Sequence, residues 1–150
     1  MPTSETPDPT LPEAEPEGQG TAVLAQVLYL SNLLLVPGIS FFVLVWLYLR
    51  KSQNTPPLAV AHLDQTFFAS LWAGALLVVV SLLIVVLGGF DGPWMWTVVI
   101  TYFTVCHSTL VMLGILGLAK AMSGQCFRFP LVGRPLPEEC RQWQRSGGLL

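Results

Sequence analysis

From Trp94 to Ala119 the chain runs for 26 residues without a charged side chain, opening on two tryptophans and closing against Lys120. A helix needs about 20 apolar residues to cross the ~30 Å hydrocarbon core of a bilayer, so this run predicts a membrane span. Two other stretches share the feature: Thr66 to Phe90 and Thr21 to Leu49 are also uncharged throughout. Only 11% of the 150 residues are charged, whereas 53% are apolar. Soluble domains carry about 25% charged residues, and the shortfall assigns the surface to lipid. The expected fold is an all-α integral membrane protein with three membrane segments, 21–49, 66–90 and 94–119.

The first segment is interrupted by Pro37-Gly38. Proline cannot donate a backbone hydrogen bond and clashes with the preceding turn, so the helix must kink or break there. As one helix, 21–49 would be ~43 Å long, too long for one upright span and too short for two. Two geometries stay open: one tilted, kinked span, or two half-helices forming a re-entrant loop. A break in lipid needs partners for the freed backbone groups, and Ser31, Asn32 and Ser40 flank it. In the second segment Ala69 with Ala73, and Ser70 with Gly74, form a small-xxx-small pattern that lets helices approach closely. A tight turn follows at Gly88–Pro93. Trp94 and Trp96 then mark one membrane boundary, and Trp46 and Tyr48 the other.

The flanks are polar. Residues 1–20 hold five prolines and five acids with almost nothing apolar, the composition of a disordered tail. Its acidic character is unlike a secretory signal, so the first apolar run is expected to be retained. Ser52–Asp64 reads as a proline-broken connection and 132–150 as a polar tail. In that tail Leu136–Arg145 is a candidate surface helix, with Pro137 in its first turn, Glu138 and Glu139 near its amino end and Trp143 at headgroup level. All seven bases (Arg50, Lys51, Lys120, Arg128, Arg134, Arg141 and Arg145) lie in the first loop or after the last segment, and the Asp91 turn has none. The positive-inside rule places these regions, and the carboxyl terminus, on the cytoplasmic side of an inner membrane. With a net charge of −2 there is no basic field to support nucleic-acid binding. Cys106, Cys126 and Cys140 have no C-x-x-C spacing and are expected as free thiols near a reducing face.

His107 is the imidazole expected at membrane depth, where an ionisable group is costly and suggests a proton site, a ligand or a polar contact. Thr101, Thr104 and Ser108 share with Thr97 a helical stripe that His107 borders. With Asn32 they form a candidate intramembrane polar site facing the bundle interior. The plainer reading is that the hydroxyls bond their own helix and a neutral His107 bonds a neighbour such as Asn32. No metal site is expected, because neither His62 nor His107 has a further ligand at helical spacing. Ser108 diverges from His107 by about 100° on a helix, and no carboxylate orients the ring, so no catalytic residues are assigned. No phosphate-binding loop or cofactor motif is present. Arg128, between Phe127 and Phe129, reads as a membrane-border anchor. Its alternative is a clamp in which Arg128 and Lys120 close over His62 and Asp64.

Three blocks carry a resemblance. Leu33–Lys51 holds an apolar run broken by Pro37-Gly38 and closed by a Trp-Leu-x-x-Arg-Lys ending; Ala61–Phe68 holds His62; Ala119–Leu131 holds Lys120, Gly124, Arg128 and Pro130. From about Ala25 to Leu131 the chain resembles the small, uncharacterised bacterial membrane proteins grouped with the twenty-kilodalton inner-envelope subunit of the chloroplast protein-import translocon. It departs from that pattern at Gln65, where the family has an acid, and at Gln26, where it often has a histidine. Both departures remove ionic character. The resemblance implies a membrane protein of helical hairpins that can self-associate. The functional expectation is a non-enzymatic multi-pass scaffold or accessory subunit acting through helix packing, with lipid, copies of itself or other membrane proteins as partners. The alternative is a small oligomeric channel or translocation element lined by Asn32, Thr101, Thr104, His107 and Ser108.

Overall fold

The computed structural model describes residues 15–130 and 132–146. Most of the expected acidic tail lies outside these residues. Its last part is ordered: Gln19 and Gly20 already belong to the first helix. Among the described residues all regular structure is helical: α1 (Gln19–Leu34), α2 (Ile39–Leu49), α3 (Pro57–Gly74), a π-helical segment (Ala75–Val80), α4 (Ser81–Gly88), α5 (Met95–Met122) and α6 (Glu138–Arg145).

The first apolar run is a hairpin. Ala25 of α1 and Leu44 of α2 meet in one buried cluster with Leu63 of α3, flanked by Leu28 and Leu47. A continuous helix would hold Ala25 and Leu44 roughly 28 Å apart, so α2 folds back along α1. The reversal uses the local chemistry expected of it. Gly38 adopts φ 91°, a left-handed conformation that favours glycine, and its N–H donates to Asn32 Oδ1 at 3.0 Å. The Val36 N–H donates to the Ser31 carbonyl, and Ser40 is buried against the bundle. At roughly 24 Å and 16 Å, neither arm is long enough to cross a bilayer alone.

Two longer units complete the frame. Pro57–Gly88 runs through α3, the π segment and α4, and Met95–Met122 forms α5; both are long and apolar enough to cross a membrane. The former starts nine residues before the expected Thr66. Pro57 begins the helix instead of breaking a loop, because the first turn has no use for the N–H that proline lacks. The Gly88–Pro93 turn stands as expected, with Gly89 at φ 69°. Inside the π segment the Leu76 carbonyl accepts a hydrogen bond from the Tyr102 hydroxyl of α5 at 2.9 Å.

Helix ends sort onto two faces. A Cβ built on Gly18 would lie 2.8 Å from Pro56, so α1 and α3 start side by side, while Gln19 Nε2 donates to the Met122 carbonyl at the end of α5. Gly18, Arg50, Pro57 and Met122 therefore share one end, called here the basic end. The Asp91 turn occupies the far end.

Residues 123–130 and 132–146 are not a free tail. They form a strap that turns back between α3 and α5, burying Phe129 against Tyr29 and Ala69, and then Leu136, just before α6, and Cys140 within it against Ala61. Cys126 and Cys140 are disulfide-bonded, which corrects the expectation of free thiols; Cys106 remains free. The strap brings together cysteines that local spacing gave no reason to pair.

Candidate functional site

The polar interior of the molecule lies on one face of α3. His62, Gln65, Thr66, Ala69, Ser70 and Ala73 fall at i, i+3, i+4, i+7, i+8 and i+11, and all six are buried. The small members of this set, including Ala69, Ser70 and Ala73 of the predicted contact pattern, let α1 and the strap approach closely. The long polar members find partners there. Gln26 of α1 is fully buried, and its Nε2 lies 2.9 Å from His62 Nδ1. His62 Nε2 lies 3.0 Å from the Gln125 carbonyl of the strap. An amide N–H donated to Nδ1 leaves Nε2–H to donate to that carbonyl, so a neutral imidazole satisfies both contacts. His62 thus ties three segments together.

Gln65 does the same for the loop of the strap. Its Oε1 accepts from the Phe129 N–H at 3.3 Å, and its Nε2 donates to the Arg134 carbonyl at 2.7 Å. Irregular backbone inside an apolar bundle needs such partners. Gly133 permits the approach, because a Cβ there would stand 2.6 Å from Gln65 Oε1. Across the bundle α5 supplies the matching small residues: a Cβ on Gly117 would lie 2.7 Å from the Gln26 amide, and one on Gly114 2.7 Å from the Tyr29 ring. The Tyr29 hydroxyl donates to the Leu110 carbonyl at 3.2 Å.

The predicted intramembrane site is not assembled in this way. Thr101, Thr104 and Ser108 are exposed, and the bundle side of α5 is instead Leu110, Gly114, Gly117 and Ala121. The reason is volume: the close approach of α1 requires glycine and alanine, and these lie on another face of α5 from the hydroxyls. His107 is half-buried and stacks on Phe103 at 5.5 Å, and its Nδ1 has no hydrogen-bond partner among the described residues. Asn32 serves Gly38, not His107.

The predicted clamp is also rearranged. Asp64 pairs with Lys51 at 2.5 Å, beside the stacked rings of Tyr48 and Phe67. Lys120 Nζ donates to Gln125 Oε1 at 2.7 Å, and Arg128 Nε to the Gly133 carbonyl at 3.2 Å. The strap does close over His62, but through a main-chain carbonyl instead of a charge. Of the remaining motif residues, Pro37 and Gly38 form the hairpin turn. Gly124, at φ 65°, packs close to Pro16, and Pro130 is exposed.

No family model, curated protein or solved structure matches this chain. Its site is therefore described by its geometry. An uncharged network of amides, an imidazole and main-chain groups joins α1, α3 and the strap. His62 is sealed from solvent, and the nearest carboxylate in sequence, Asp64, is engaged by Lys51.

Gln26 and Gln65 carry more of this site than the reading of individual residues assigned them. A signal for both was present. Gln26 shares a helical face with Ala22, Ala25 and Tyr29, and Gln65 lies on the small-residue face of α3. A long amide among small residues at helical spacing is placed to reach across a close contact.

Proposed function

We propose that this chain is a multi-pass inner-membrane protein that acts through helix packing, as a small scaffold or accessory subunit of a membrane complex. The observation that carries this reading is the division of its surface. Gln26 and His62 bond each other, and His62, Gln65 and Thr66 bond main-chain groups inside the molecule, while the two long helices are covered over only 6% and 11% of their most apolar windows. A core helix of a soluble protein of this size would be mostly buried, so the uncovered surface calls for lipid or another apolar helix. The blocks that resemble the bacterial family fall on the hairpin turn, on His62 and on the strap, which supports a shared hairpin architecture. The bases at the shared end assign that end to the cytoplasm. A cytosolic disulfide is exposed to reducing thiols; after reduction Cys126 and Cys140 would still meet beside Ala61 and Leu136.

Topology gives the first test. Single accessible cysteines at Glu17→Cys, Ser52→Cys and Asp91→Cys, in a background lacking the native ones, are to be labelled in intact cells with an impermeant maleimide. The re-entrant reading expects Asp91→Cys alone to react. Labelling of Glu17→Cys together with Asp91→Cys, and protection of Ser52→Cys, would restore three full spans. Function is tested by photo-crosslinkers placed at Leu87 and Val105, both exposed on the long helices. Discrete adducts to a membrane protein or a second copy are expected. Lipid adducts alone, together with ion flux from reconstituted protein that is lost in His107→Ala, would overturn the scaffold in favour of the channel.

A further inference from the structure

At the basic end, the end of α5, the first residues of the strap and α6 border an open pocket of about 420 Å³. Lys120, Gln125, Arg128, Trp143 and Gln144 contribute to its walls, and among the described residues no carboxylate does. The ion pairs among the described residues are Lys51 with Asp64 and Arg141 with Glu138, so both cations of the pocket lack an acidic partner there. Each makes one hydrogen bond within the chain. Lys120 Nζ donates to Gln125 Oε1, and Arg128 Nε donates to the Gly133 carbonyl, which leaves the two terminal amino groups of the guanidinium for another acceptor. A guanidinium fork and an ammonium lining one pocket suit the oxygens of a phosphate group.

The walls are tied to each other as well as to the bundle. Cys126 also lines the pocket; it is bonded to Cys140 of α6, and its carbonyl accepts from Gln144 Nε2 at 3.4 Å. Lys120 lies in the last turn of the apolar α5, and Trp143 is exposed beside it, the two side-chain types that favour the headgroup layer.

We infer that this pocket binds a phosphate group, carried by an anionic phospholipid headgroup or supplied as free phosphate. The lipid source rests on the membrane reading above; the phosphate chemistry does not.

The test uses the purified full chain, delipidated in neutral detergent and offered equal amounts of phosphatidylglycerol and phosphatidylcholine, with retained lipid counted by native mass spectrometry. Parallel titration with inorganic phosphate is followed by the emission of Trp143, taken as the difference from Trp143→Phe. Preferential retention of phosphatidylglycerol is expected, reduced about fivefold by Lys120→Gln and again by Arg128→Gln. Arg128→Lys should recover part of the loss, and Arg50→Gln, outside the pocket, should retain lipid as the unaltered chain does. Phosphatidylglycerol that excess inorganic phosphate does not displace identifies the lipid source. Displacement, or a Trp143 response to inorganic phosphate alone, identifies free phosphate. Equal retention of the two lipids with no response to phosphate overturns the site, as does unchanged binding in a double variant of normal helix content. Insertion into pure phosphatidylcholine vesicles, which the pocket does not govern, is measured separately, so its failure counts against the membrane reading alone.

Discussion

The two ends of this molecule are built on opposite terms. At the basic end α1, α2, α3, α5 and the strap converge, and the interior holds Gln26, His62, Gln65 and Thr66 together with Tyr29 and Phe129. At the far end the π segment and α4 pair with the first half of α5 alone, and side chains such as Val78, Val86, Leu87 and Ile100 are exposed. The difference follows from length. The α1–α2 hairpin turns at Pro37-Gly38 and cannot accompany the long helices to their far end. Covered helices require complementary groups at each contact, because an unpaired buried amide costs free energy that lipid cannot return. Uncovered helices require only that their surface be apolar. Sequence specificity is therefore concentrated at the basic end.

Substitutions that break this contrast should be costly at one end and nearly silent at the other. The largest effect is expected for His62→Leu, which strands the Gln26 amide and the Gln125 carbonyl at about 1–3 kcal/mol each. Unfolding in detergent, followed by circular dichroism, should show the loss, and a cost near zero would mean that the imidazole is not the link between α1, α3 and the strap. Next comes Gly117→Leu, which forces a side chain into the Gln26 amide and should destabilise by about 1–3 kcal/mol in the same measurement. Gly114→Leu should behave alike, since it meets Tyr29 and Leu30. A smaller change, about 1 kcal/mol, is expected for Asn32→Ala, which removes the acceptor for the Gly38 N–H. Proteolysis near the turn offers an independent readout for that variant. The smallest is Leu87→Ala: the side chain is 84% exposed, and its loss should stay within about 0.5 kcal/mol. If Leu87→Ala instead proved as harmful as Gly117→Leu, the far end would be a packed interface and the contrast would fail.

The features legible from sequence are those set by neighbouring residues. Three uncharged runs predict apolar helices, Pro37-Gly38 predicts a break, and Ser31, Asn32 and Ser40 flank it, of which Asn32 serves the Gly38 N–H. Each involves groups only a few positions apart, where backbone geometry leaves few choices. The polar stripe of Thr101, Thr104 and Ser108 misled for the complementary reason. Periodicity identifies a face, but which face turns inward depends on what packs against it, and here α1 selected the glycines of α5.

By itself, then, the sequence determined the helical class, the apolar character of the long helices, the place of the break and the grouping of the bases, since these depend on local composition and backbone limits. Only the tertiary structure decided that the first run doubles back, that Gln26 meets His62 across 36 positions, and that the supposed tail returns to bond Cys126 to Cys140. Those outcomes arise from contacts between distant segments, and a buried polar group acquires its role from the partner that the fold delivers to it.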